Sequence, residues 1–74
     1  MPTEFQNFCR NVFLLRKYAG MSQKELAAIL HISVNTLRKL ESGTIPQRIN
    51  IEVIFILAST FHIPPADLFK PLYP

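Results

Sequence analysis

Asn35, Thr36, Arg38 and Lys39 place a carboxamide, a hydroxyl, a guanidinium and an ammonium within five consecutive residues. If Ser33 caps a helix, Val34, Asn35 and Thr36 point outward at its start, and Arg38 and Lys39 follow one turn later. Such a set suits the edges of DNA base pairs. A carboxamide can bond adenine N6 and N7 together, Val34 can pack on a thymine methyl, and Arg38 or Lys39 can reach guanine O6/N7 or a phosphate. Each good bidentate contact is worth about 1–3 kcal/mol of discrimination. Bond-making chemistry has no such set: the chain offers no paired carboxylates, no nucleophile beside a base, no phosphate-cradling glycine loop and no metal-ligand spacing. The reading is therefore non-enzymatic, with no cofactor and no metal.

The element carrying these side chains has to be held against something. Leu37 and Leu40 form its inward stripe and Gly43 supplies its stop. Just before it, Ser22 with Glu25 three residues later makes a capping box. Leu26, Ala27, Ile29 and Leu30 then form one apolar face, with Lys24 and Ala28 turned away and the helix ending near His31. Two short helices separated by three or four residues fit a helix-turn-helix over about 22–43.

The pattern Gln23, Ala27, Ile32, Leu37, Leu40 and the ending Glu41-Ser42-Gly43 resembles the phage repressor/Cro-type helix-turn-helix family of transcriptional regulators. The resemblance implies an all-α, compact five-helix, lambda-repressor-like domain covering nearly the whole chain. It implies that residues matching Val34, Asn35, Thr36 and Lys39 contact bases or nearby phosphates. It also implies that Arg16 pairs with Glu41, tying the first helix to the end of the reading helix. Two places depart from the family. His31 stands where glycine is common, because the backbone there tends to be left-handed, and Phe13-Leu14 stands where polar residues are usual. Small Ala27 lets the second helix approach the first, and a larger side chain there would overpack the contact at a cost of roughly 1–3 kcal/mol.

Phosphates would be held farther along the same surface. Gln23 and Lys24 stand at the start of the preceding helix, where a helix N-terminus favours anions. Ser42, Thr44 and Arg48 follow the reading helix. Such contacts position a protein on a duplex without specifying sequence.

With 74 residues, one domain over 1–74 with a small core is expected. The net charge of +3 is unevenly spread: from Arg16 to Arg48 six basic residues face two acidic ones, while the remainder nets −1. The positive half is the one that would meet phosphates. Cys9, the single cysteine, cannot close an internal disulfide and reads as a buried or half-buried thiol. The opening MPTEFQNF lacks the pattern of a signal peptide, and the longest apolar run, Val53 to Ala58, is far short of the ~18 residues that span a bilayer. A cytoplasmic protein without membrane contact is expected.

Elsewhere, Thr3 and Gln6 form another capping box, ahead of a core stripe of Phe5, Phe8, Val12 and Leu15. Gly20 ends that helix, and Met21 plugs the core. After Gly43, Pro46 marks a loop, Asn50 caps the next helix, and Ile54, Leu57, Ala58 and Phe61 are its inward residues. Val53, Phe55 and Ile56 remain unaccounted for on that helix. Pro65 suits the first position of a fifth helix, although Pro64 offers no capping oxygen. Leu68 and Phe69 close the core.

Three functions follow in order of support. The first is a sequence-specific double-stranded DNA-binding regulator, most simply a repressor that occludes a promoter. Because one half-site would be held weakly, it would act as a homodimer with reading helices about 34 Å apart. Phe55, Ile56, Leu72 and Tyr73 are the preferred dimer surface, with Phe13 and Leu14 as further surplus apolar residues. The second is a protein-interaction module on the same fold, such as an antitoxin or antirepressor with a protein partner. An enzyme is the least supported.

Overall fold

The computed structural model describes residues 3–44 and 50–72. Among the described residues the chain is all-α: α1 (Glu4–Tyr18), α2 (Gln23–Leu30), α3 (Val34–Glu41) and α4 (Ile51–Phe61), followed by a 3-10 turn over Pro65–Phe69. The loop expected around Pro46 lies outside the described residues, as do Arg48 and Tyr73.

Each helix begins where a side-chain oxygen can satisfy an otherwise unpaired backbone donor. The hydroxyls of Thr3 and Ser22 accept from the N–H of Gln6 and Glu25, whose side chains bond back to the cap N–H, completing both boxes. The Ser22 backbone N–H, and then its hydroxyl, hold the Glu25 carboxyl below its ordinary value. Ser33 accepts from Thr36 N–H and Asn50 from Val53 N–H. At the other end, α2 and α4 stop on histidines in the left-handed region, His31 at φ 58° and His62 at φ 55°.

The core gathers Phe8, Cys9, Val12 and Leu15 from α1, Leu26, Ala27 and Leu30 from α2, and Leu37 and Leu40 from α3. Val53 and Leu57 from α4 and Leu68 from the 3-10 turn complete it. Full burial of a leucine such as Leu68 is worth roughly 1.5–3 kcal/mol. Burial also pushes the Cys9 thiol above its ordinary pKa, against a smaller opposing effect of a backbone hydrogen bond. Val53, left unassigned by periodicity, belongs to this core, and Ile54, Ala58 and Phe61 only flank it half-buried. The helix is apolar on most sides, so its rotation is decided by what it packs on, here α2 and the 3-10 turn.

The fifth helix is replaced by the 3-10 turn. Pro64 makes no side-chain cap, and Lys70 is extended at φ −106°, ψ 157°, as the residue before a proline is biased to be. Five residues between these two constraints do not complete a regular α-helix. What fastens them is Asn11, whose buried Nδ2 donates to the carbonyls of Leu68 at 2.8 Å and Lys70 at 2.7 Å. Asn7 Nδ2 adds a bond to the Phe69 carbonyl at 3.3 Å, and the Phe69 ring stacks on Phe8 at 4.9 Å.

Candidate nucleic-acid interface

The turn between α2 and α3 is made by three residues. His31 takes the left-handed conformation, Ile32 tucks half-buried against the core while its N–H reaches the Ala27 carbonyl at 3.1 Å, and Ser33 caps α3. Ala27 is buried on α2, the helix that packs directly on α3. With Leu37 and Leu40 fully buried on one side of α3, Asn35, Arg38 and Lys39 are exposed on the other.

The remaining expected contacts are less uniformly open. Val34 is half-buried and packs against the core, so only part of its surface faces outward. Thr36 is half-buried too, and its hydroxyl lies 2.8 Å from the Ser33 hydroxyl. Ser42 Oγ donates to the Lys39 carbonyl at 2.8 Å and sits 3.2 Å from Thr44 Oγ1, so these two hydroxyls form one small exposed cluster. Lys24 is exposed at the start of α2, and Gln23 beside it is half-buried.

Behind this face stands a buried ion pair. Arg16 donates Nε to Glu41 Oε2 at 2.7 Å and Nη2 to Oε1 at 3.0 Å, and its Nη1 bonds the Met21 carbonyl at 2.9 Å. The planar fork matches the carboxylate bidentately. Arg16 is 8% exposed, so the pair joins α1 to the end of α3 in surroundings that screen it little. Phe13 lies over the guanidinium, its ring centroid 5.6 Å from Cζ. That contact gives one of the two departures on α1 an internal partner: the ring, 38% exposed, covers the Arg16 guanidinium while part of it stays open. Leu14 is half-buried.

Apolar surface of another kind lies on α4. Ile51 is 66% exposed and Phe55 54%, and with half-buried Ile56 they line an open groove flanked by Glu52, Ser59 and Thr60. Ile51, four residues before Phe55 and on the same face, was not singled out by periodicity, because a helix apolar nearly all round gives its faces little contrast. Leu72, by contrast, packs half-buried against the core and is not part of that groove.

The helix-turn-helix family profile matches residues 14–68, about three-quarters of the chain. The chain belongs to the Cro/C1-type helix-turn-helix family. It is a family of DNA-binding regulatory domains, typically non-enzymatic. Neither the curated proteins nor the solved structures hold a significant match. Within the matched span, α2 and α3 are the two helices of the helix-turn-helix. No helix of the described residues is long and apolar enough to cross a membrane.

Sequence reasoning missed two polar residues. Asn11 lies at helical spacing between Phe8 and Leu15, on the buried face, and an amide at such a position signals a partner across the core. Gln23 was assigned to phosphate alone, whereas its amide also bonds Glu41 and Arg38. No spacing rule marks that second role.

Proposed function

We propose that the chain is a single domain that reads double-stranded DNA sequence-specifically and represses transcription by occluding a promoter, working in the cytoplasm. The observation that carries this is the polarity of α3: Leu37 and Leu40 are fully buried while Asn35, Arg38 and Lys39 stand exposed on the opposite side. A reading helix needs both, an inward face that fixes its angle and an outward face with donors and acceptors. Asn35, nearest the start of α3, is the base reader, with the open part of Val34 and the Thr36 hydroxyl beside it. Lys39 reaches a base edge or a phosphate one turn on. Gln23, Lys24, Ser42, Thr44 and Arg48 form the phosphate set, and Arg16 with Glu41 holds the reading helix to α1.

Two copies would pair through the α4 surface. Ile51, Phe55 and Ile56 supply an apolar centre, with Glu52, Ser59 and Thr60 at its edge, an arrangement that resembles the core and rim of protein interfaces. The same groove is what favours a second reading, in which its occupant is a different protein and the domain acts as an antitoxin or antirepressor.

Selection from random duplex DNA at two salt concentrations, with Asn35→Ala in parallel, separates these readings. An enriched inverted repeat whose preference relaxes at one base pair in the variant supports specific dimeric readout. Equal, unselective binding by both proteins removes the DNA-reading function and leaves the protein-partner reading in its place.

A further inference from the structure

Gln23, at the start of α2, bonds two side chains of α3 at once. Its Oε1 accepts from Arg38 Nε at 3.3 Å, and its Nε2 donates to Glu41 Oε1 at 3.1 Å. Glu41 is held in turn by the two bonds from Arg16, whose third hydrogen bond goes to the Met21 carbonyl. Four side chains thus form one polar chain from α1 to the exposed face of α3.

The chain has a direction set by chemistry. An ionised carboxylate only accepts, so Glu41 selects the amino end of the Gln23 amide. The carbonyl end is then turned toward Arg38, which only donates. Both neighbours demand the same orientation of the amide, and the buried ion pair behind Glu41 keeps it there.

We infer that Gln23 is a positioning residue for Arg38, and that the pair makes Arg38 a phosphate clamp instead of a base reader. This deepens the DNA-reading function and rests on it. Using Nε internally leaves the two terminal amino groups as the outward end of a planar fork, which fits two oxygens of one phosphate. The hold draws the guanidinium toward the start of α2, the helix that spans the DNA backbone in this motif, and away from Asn35 at the groove-facing start of α3. A guanidinium already restrained loses less rotamer freedom when it binds.

Two measurements on the full chain test the inference. In the free protein, the Nε–H resonance of Arg38 exchanges with water more slowly than that of exposed Arg10, and Gln23→Met removes the difference. Equal exchange in wild type and Gln23→Met overturns the positioning role whatever the protein does with DNA. On the selected duplex, Arg38→Ala weakens binding about tenfold, the size of one charge-assisted hydrogen bond. The loss is the same on unrelated duplexes, and the salt slope falls by about 0.9, the value for one phosphate. Arg38→Lys, which keeps the charge and lacks the fork, does not restore binding. Gln23→Met costs about fivefold less when Arg38 is already alanine, the non-additivity expected of residues acting as a unit. An altered preference at one base pair in Arg38→Ala overturns the phosphate assignment, and an equal cost of Gln23→Met in both backgrounds overturns the coupling. A wild-type chain that selects no duplex removes the DNA function itself and the clamp with it, a result visible before any variant is made.

Discussion

Replacing Asn11 by aspartate keeps the shape of the side chain and removes both of its donors. In the native protein Nδ2 gives its two hydrogens to the Leu68 and Lys70 carbonyls at 2.8 and 2.7 Å, in a residue only 2% exposed. Asn11→Ala forfeits two neutral hydrogen bonds at about 1 kcal/mol each, and the buried Leu68 carbonyl left without a donor adds about 1 kcal/mol or more. The expected loss is therefore about 3 kcal/mol. Asn11→Asp should lose more at pH 7, because an ionised carboxylate is desolvated and aimed at two carbonyl oxygens. Domains of this size are stable by only about 0.05–0.15 kcal/mol per residue, so either change removes a large share of the total. The two variants differ in their response to acid. The buried carboxyl introduced by Asn11→Asp would have its pKa raised in the folded state, above the unfolded value of about 3.9. Its destabilisation is complete above the folded-state pKa and shrinks as the pH falls through it, when the protonated acid regains one donor. Asn11→Ala has no such group, so its deficit stays constant. Urea denaturation of the three proteins at pH 7 and at lower pH gives both quantities. An Asn11→Asp loss under about 1 kcal/mol at pH 7, or a deficit that grows on acidification, would refute the reasoning.

Two further substitutions probe the scaffold of α3. Glu41→Ala strands the Arg16 guanidinium, 8% exposed, with only the Met21 carbonyl, and should cost about 2–4 kcal/mol in denaturant midpoint experiments. The double change Arg16→Met with Glu41→Leu should recover most of that loss, and a double variant as unstable as the single one would contradict it. His31→Gly relieves a side chain held at φ 58° and should be neutral or stabilise by up to about 1 kcal/mol, with thermal unfolding as the check. A drop in melting temperature would mean that the His31 side chain contributes contacts outweighing its strain.

Much of the fold was legible because helix limits are local events. Thr3, Ser22, Ser33 and Asn50 each cap through a bond to the N–H three residues on, so residue type and offset suffice to find them. The inward residues of α2 and α3 followed from periodicity, since both helices are polar on one side, except that Ile29 is half-buried and outside the core. On α4, apolar on most sides, periodicity had little contrast to work with, and Val53 was left off the core; Leu72, in the tail beyond the 3-10 turn, has no periodicity to place it and was put on the surface. The fifth helix failed for a local reason that was available: Pro64 and Pro71 bracket six residues, and Pro71 follows Lys70 directly.

The candidate interface divides in the same way. Its residue types, its outward positions on α3 and its excess of positive charge are properties of a one-dimensional string, fixed by spacing and composition. The pairing of Arg16 with Glu41 came from family resemblance alone, because no local rule connects residues on separate helices. Phe13 over Arg16 is an i,i+3 contact within α1 and so within reach of local spacing. Only the tertiary structure decided that Asn11 fastens the 3-10 turn across 57 and 59 residues of chain, and that Gln23 reaches Arg38 across 15. The physical reason is common to both. A hydrogen bond between distant residues depends on how the elements that carry them are rotated against each other, and that rotation is a compromise among every side chain in the core.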